Sequence, residues 1–169
     1  REINTPGTTA VGRLFDAAAA LSGVCKSASY EGQGPMQLEA LCDSDAMLPN
    51  NFVEIGLADG DKLLIAEWKS LIPDILDSTL SVAERALRFH NSLAHCILQQ
   101  AKVFRDRHGV NMVGFSGGVF QNRVLTEKAI ALLSDEGFDI YVPELIPVND
   151  AGISFGQIME YGFKYKTEK

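Results

Sequence analysis

The segment Val113-Gly114-Phe115-Ser116-Gly117-Gly118-Val119-Phe120-Gln121-Asn122 constrains this chain more than any other. The apolar run Asn111–Phe115 stops at a glycine pair, and a pattern of helical period begins directly after it. That order reads as a strand, a tight turn and a helix N-terminus. Such a turn leaves backbone N–H groups unpaired and the helix dipole adds partial positive charge, so an anion can sit there. Two adjacent glycines remove the Cβ atoms that would hold a phosphate away from the backbone. The spacing predicts a phosphate cradle for a nucleotide. It is not the commonest kind, because neither G-x-x-x-x-G-K-[ST] nor G-x-G-x-x-G follows the strand, and Arg123 is the only nearby cation. A tight βα connection that holds no ligand is the plain alternative.

The chain has 169 residues, enough for one domain with a real core. Hydrophobic residues make up 46% and charged residues 22%, a globular composition. No apolar run approaches the ~20 residues of a membrane span. Arg1–Thr9 is polar, without the apolar centre of a signal peptide, and the start at Arg1 suggests an excised piece. The net charge of −7, with scattered positive residues, argues against a nucleic-acid surface, which needs clustered Lys and Arg. A single nucleotide needs only backbone N–H groups and a metal ion. Cys25, Cys42 and Cys96 are odd in number and lack a C-x-x-C pair, which predicts reduced, small apolar residues in a cytoplasmic chain.

Thr8 or Thr9 is placed to cap a first helix that runs to about Ser22 and stops at Gly23. A short helix is expected over Gln33–Cys42, then strands at Phe52–Leu57 and Lys62–Trp68 around the turn Ala58–Asp61. Ser70–Leu80 reads as a short helix. Ser81-Val82-Ala83-Glu84 is a capping box that opens a long helix to about Arg107, ended by Gly109. Strand Asn111–Phe115, helix Gln121–Glu136 with a stop at Gly137, and strand Phe138–Val142 form a βαβ unit, expected to be parallel. Pro143–Asn149 is a loop, and a last helix runs from Asp150 or Ala151 to about Phe163. Residues 1–163 therefore read as one lobe and 164–169 as a frayed tail. The class is α/β, a mixed sheet with packed helices and a ligand crevice at the strand ends.

Gly12 and Asp16 lie one turn apart on the first helix, on the face away from Leu14 and Leu21. A glycine inside a helix costs about 1 kcal/mol relative to alanine. Close approach of another body would offset that, and if the body is a sugar, Asp16 can accept from its hydroxyls. Helix packing at Gly12 with a solvated Asp16 is the alternative. Asp150 suits either a helix N-cap or an oxygen ligand for a hard cation facing the phosphates. Gly152 and Gly156 thin the start of the last helix. His90 and His95 are five apart, roughly 140° around a helix, so they make no metal pair. His90 falls on the apolar stripe as a core histidine, while His95 and His108 read as exposed. Ser116 lacks G-x-S-x-G and is better suited to donating a hydrogen bond to phosphate than to nucleophilic attack.

Taken in order, Thr8–Ala17, Ser29–Gln33, Arg88–Asn91, Phe115–Asn122 and Asn149–Ile153 resemble the C-terminal end of the HypF-type hydrogenase-maturation carbamoyltransferases. The resemblance covers nearly the whole chain. It implies one lobe of an actin-like (ASKHA, RNase H-like) two-lobed ATP-binding fold, similar to the tRNA threonylcarbamoyl transferases. It also implies a chemistry: carbamoyl phosphate and ATP give carbamoyl-adenylate, whose carbamoyl group passes to the C-terminal cysteine of a HypE-type partner. By position, Gly117 and Gly118 would hold phosphates with Ser116 and Asn122 assisting, Gly12 and Asp16 would meet the ribose, and Asp150 would bind the divalent metal. Ala151 stands where relatives commonly carry a second glycine. The N-terminal lobe and the other domains of such a parent are not visible in this sequence, so little or no turnover is expected of it alone. A tRNA-modifying lobe and a non-catalytic nucleotide-binding or docking module are the competing readings.

Overall fold

The computed structural model describes residues 7–42, 51–60 and 63–166. Six α-helices and four short strands appear among them: α1 (Val11–Leu21), α2 (Gln33–Glu39), β1 (Gly56–Asp59), β2 (Leu64–Glu67), α3 (Leu71–Ile75), α4 (Val82–His108), β3 (Met112–Gly114), α5 (Arg123–Asp135), β4 (Asp139–Tyr141) and α6 (Ile153–Lys166). Single 3-10 turns precede α3, α5 and α6. No helix among the described residues is long and apolar enough to cross a membrane.

The long helix α4 organises the fold, and its ends follow from local chemistry. The Ser81 hydroxyl accepts from the Glu84 amide at 3.2 Å, and the Glu84 carboxylate accepts from the Ser81 amide at 2.8 Å. Two of the orphan donors of the first turn are thereby satisfied. At the other end Arg105, Arg107 and His108 face the negative pole of the helix, and Gly109 closes it at φ +68°. Helices α2, α3 and α5 pack along α4. The core gathers Phe15, Leu38, Leu71, Phe89, Leu125 and Leu133, all essentially without solvent contact. Phe15 meets Phe89 edge to face with centroids 4.9 Å apart.

β3 and β4 are parallel, with Val113 opposite Ile140, and α5 crosses between them as expected. β1 and β2 form an antiparallel hairpin in which Gly56 faces Glu67. The expected single mixed sheet is not formed; the described strands make two separate pairs. Each strand is only three or four residues long, and each pair is joined by its own connection, a hairpin turn in one and α5 in the other.

Other boundaries also shift. α1 begins at Val11 with Ala10 in the cap position and no side-chain cap; the Thr8 hydroxyl accepts from the Ala10 amide instead. α2 ends at Glu39, and the Ser70–Leu80 expectation shrinks to α3 and its 3-10 turn. The first strand starts four residues late and takes in Asp59, while Asp61 of the expected turn and Lys62 of the expected second strand lie outside the described residues. Of the tail expected to fray, Lys164–Lys166 is helical, and residues 167–169 lie outside the described residues.

Candidate functional site

The glycine turn differs from its sequence pattern in one decisive way. α5 does not start at the glycines: a 3-10 turn, Gly118–Gln121, intervenes, and Asn122 is the N-cap. The α5 N-terminus is already satisfied from within. The Asn122 side-chain oxygen accepts from the Leu125 amide at 2.8 Å. The Glu39 carboxylate, arriving from the end of α2, accepts from the Arg123 amide at 2.7 Å and the Val124 amide at 3.4 Å. A protein carboxylate thus sits where an anion at the helix dipole would sit. The Gly117 amide is likewise not unpaired, since it donates to the Val148 carbonyl at 2.6 Å.

What remains for a ligand is the outer rim of the turn. Ser116 makes no hydrogen bond among the described residues, and the Gly118 and Val119 amides find no backbone acceptor there. Gly117 has φ +113°, a region closed to residues with a Cβ. Gly118 has no such conformational reason, and a Cβ built on it would come no closer than 3.9 Å to any neighbour. A Cβ on Gly12 would meet nothing within 4 Å. Gly12 faces open space and Gly118 would make only ordinary contacts with Asn149 and Gln121, so packing within the described residues does not require glycine at either.

The fold brings the separate sequence loci together. The Val148 carbonyl and the Asn149 Cβ lie against Gly117 and Gly118, which places Asp150 beside the turn. α1, carrying Gly12 and Asp16, packs against the 3-10 turn that follows Gly117. Asp16 is half-buried and pairs with Arg13 at 3.2 Å, while Arg13 also reaches Glu31 at 3.6 Å. A cleft of about 530 Å³ opens beside them, lined by Arg13, Asp16, Lys26, Ser29, Tyr30 and Glu31 among others. It does not extend to Ser116–Gly118. Lys26 carried no motif signal, whereas Tyr30 lies in the Ser29–Gln33 segment; the fold brings both to the cleft beside Asp16.

Asp150 is exposed, and Asn149 rather than Asp150 caps the following 3-10 turn, accepting from the Ala151 amide at 3.1 Å. Gly152 has an internal explanation: a Cβ there would fall 2.6 Å from the Pro147 carbonyl oxygen. Gly156 is open. Among the described residues, no group of three or more His, Cys, Asp or Glu side chains is placed to hold a metal.

His90 is fully buried, as its position on the apolar stripe predicts. Its Nδ1 lies 2.8 Å from the Ala86 carbonyl and its Nε2 lies 3.0 Å from the Asn122 side-chain nitrogen. One assignment satisfies the set: Nδ1–H donates to Ala86, and Nε2 accepts from Asn122. Burial holds this imidazole down at about 4, against an ordinary 6.5. Cys42 lies 3.4 Å from Nδ1, but that nitrogen carries a proton used elsewhere, and burial pushes the thiol up to about 12. The two do not form an activated nucleophile. All three cysteines are unbridged. His95 departs from its expected exposure: it is half-buried and stacks on Phe52 with centroids 3.7 Å apart.

Comparison with known proteins then places the chain. A family model described as carbamoyltransferase, Kae1-like domain, second subdomain, matches residues 1–157. The carbamoyltransferase HypF of Synechocystis sp. is 34% identical over 158 residues, covering 91% of this chain and 19% of the relative. The carbamoyltransferase HypF of Rhizobium leguminosarum bv. viciae is 35% identical over 154 residues, covering 90% and 19%. Among solved structures, a full-length HypF in its phosphate- and nucleotide-bound form superposes with a TM-score of 0.76 at 33% identity, over 88% of this chain and 19% of that one. The HypF of T. kodakarensis does so with a TM-score of 0.80 at 27% identity, over 98% and 21%. The chain therefore spans about a fifth of the length of these relatives.

Proposed function

The chain belongs to the HypF carbamoyltransferase family, as the second subdomain of its Kae1-like domain, and from that membership we propose that it forms the nucleotide-binding second lobe of such an enzyme. The lobe would belong to an actin-like two-lobed fold. The full-length parent would use ATP and carbamoyl phosphate, through carbamoyl-adenylate, to carbamoylate the C-terminal cysteine of a HypE-type maturation protein in the cytoplasm. A related HypF has been solved with phosphate and nucleotide bound, which supports the nucleotide part of this reading.

One observation carries it: neither Gly12 nor Gly118 has a conformational need for glycine, a Cβ on Gly12 would meet nothing within 4 Å and one on Gly118 only ordinary contacts with Asn149 and Gln121, and both lie on elements that pack around one turn. In this reading the Ser116 hydroxyl and the Gly118 and Val119 amides donate to the phosphates, and Gly117 supplies the backbone shape. Asp16 accepts from the ribose hydroxyls. Asn122 assists from behind the turn, because its side chain is committed to the α5 cap and His90. Asp150, an exposed oxygen donor next to the turn, fits a divalent cation as a single ligand, and the remaining ligands would come from elsewhere in the parent. Such a cation would offset charge between Asp150 and the phosphates. Positioning and fixed dipoles are the contributions of this chain's own residues.

The rest of the parent also accounts for α6. That helix is apolar on several faces, with Ile153, Phe155, Ile158, Met159 and Tyr161 exposed, and among the described elements it packs chiefly on the 3-10 turn before it. A helix of that composition belongs inside a larger body. The first Kae1-like subdomain, within the four-fifths of the relatives that lies outside this match, is its proposed cover.

The test is carbamoyl transfer to a C-terminal cysteine peptide by the full-length enzyme, with and without Asp150→Ala. Transfer lost in the variant supports a catalytic lobe. Unchanged transfer would favour a non-catalytic docking module.

A further inference from the structure

The turn that faces the solvent is held from behind by a buried polar link that the chemistry above leaves without a task. Asn122 closes the turn: its amide donates to the Val119 carbonyl at 3.1 Å, and its side-chain oxygen caps α5. Its remaining side-chain group, the NH2, points to His90 Nε2 at 3.0 Å. His90 is in turn fixed to α4 through Ala86 at 2.8 Å and wedged between Phe15 at 5.3 Å and Phe89 at 5.9 Å. Only one proton arrangement serves every partner. The Asn122 oxygen must face Leu125, so its NH2 must face the ring, so Nε2 must be the bare nitrogen. A proton on Nε2 would set donor against donor and break the link.

Resting on the nucleotide reading above, we propose that His90 is a positioning residue for the phosphate turn. Its neutral ring fixes Asn122, and through Asn122 it sets the placement of Ser116, Gly117 and Gly118, without touching the ligand. The other supports of the turn leave this freedom open. The Phe120 ring stacks on Phe115 at 4.5 Å and the Phe120 carbonyl accepts from Thr126 at 2.9 Å, but both act on the apolar side. The Gly117 bond to Val148 ties the turn to another loop rather than to α4.

The test is equilibrium binding of ATP by the full-length enzyme. Glutamine is long enough to set an acceptor oxygen where Nε2 lies, whereas asparagine reaches only the Nδ1 position. His90→Gln should bind ATP within about twofold of the parent. His90→Asn should bind about tenfold more weakly, the equivalent of one hydrogen bond. Both lose the aromatic packing, so their thermal midpoints should fall together while their affinities separate. Equal affinities in the two variants would overturn the proposal, because affinity would then follow packing alone.

Should either variant fail to fold, Asn122→Ser answers the same question, since serine keeps the N-cap and loses the link to His90. It should also bind about tenfold more weakly, and unchanged affinity would overturn the proposal. Gly118→Ala in the same assay separates the two readings. If it leaves ATP binding intact, the phosphate site itself is wrong. If it weakens binding while His90→Asn and Asn122→Ser do not, only the role of His90 falls.

Discussion

Replacing glycines by alanine one at a time separates folding from ligand binding in this chain, because the two make opposite demands. Gly12 lies in the first turns of α1, and a Cβ there meets nothing within 4 Å. Alanine should therefore stabilise the lobe by up to about 1 kcal/mol through helix propensity. Gly118 has an ordinary backbone conformation and its nearest neighbour would be 3.9 Å away, so alanine there should be neutral or slightly stabilising. Gly152 is the control, since its Cβ would lie 2.6 Å from the Pro147 carbonyl oxygen, and alanine should cost about 1–3 kcal/mol. If a nucleotide lies against Gly12 and Gly118, the added methyl groups crowd the ligand by a similar energy. ATP affinity in the full-length enzyme should then fall by about tenfold to a hundredfold. Calorimetry gives both quantities, thermal midpoint by scanning and affinity by titration. Gly12→Ala and Gly118→Ala should come out as stable or more stable and weakly binding. Parent-like affinity in both variants would refute the reasoning, because their glycines would then have no ligand to explain them.

The buried His90 predicts an acid-sensitive fold. Its folded value near 4 lies below its ordinary 6.5, so its stability contribution is complete above about pH 6.5 and lost as pH falls toward 4. Urea unfolding at pH 7 and pH 5 should differ by about 2 kcal/mol from this group, and His90→Gln should abolish that difference; an unchanged slope would contradict it. Glu39→Gln distinguishes the two anion seats at the glycine turn. If phosphates bind the Ser116–Val119 rim, removing the carboxylate at Arg123 should lower the thermal midpoint through the lost helix-dipole contact, about 0.3–1 kcal/mol, with ATP affinity unchanged. If they bind the α5 N-terminus, affinity should rise instead. For α6, Ile158→Glu in the full-length enzyme should increase proteolytic cutting within and beside this helix, whereas an uncovered helix would tolerate it.

The sequence disclosed what depends on neighbours along the chain. Ser81, Glu84 and Gly109 mark the ends of α4 because each acts within one helical turn. The parallel β3–α5–β4 unit follows from an apolar run, a helical period and Gly137 at φ +74°. His90 could be placed in the core from its stripe alone. The misreadings arise where the deciding partner is distant. Nothing near Gly117 announces that its amide is taken by Val148, or that a carboxylate 84 residues upstream of Arg123 occupies the α5 N-terminus. Asn122 has a side chain fit for phosphate, and only the fold shows that its oxygen and nitrogen are already used. The partner that half-buries His95 is Phe52, 43 residues upstream, and nothing in the periodicity of α4 points to it.

Those distant partners change the electrostatics of the site. The helix dipole that the sequence suggested for phosphate binding is offset by Glu39, and Arg123, the cation nearest the turn along the chain, lies 3.6 Å from Glu127. In the cleft beside α1, Arg13 is shared between Asp16 and Glu31. With a net charge of −7 and acidic groups at both edges, this chain would offer a phosphate group a few amide donors and little positive field. If the proposed nucleotide binds here, its compensating charge has to come from a cation and from the part of the parent outside this chain. The isolated lobe should bind ATP weakly, and affinity should rise when the facing lobe and a divalent cation are restored together. Tight binding by the lobe alone, in the presence of a chelator, would show that the charge argument is wrong.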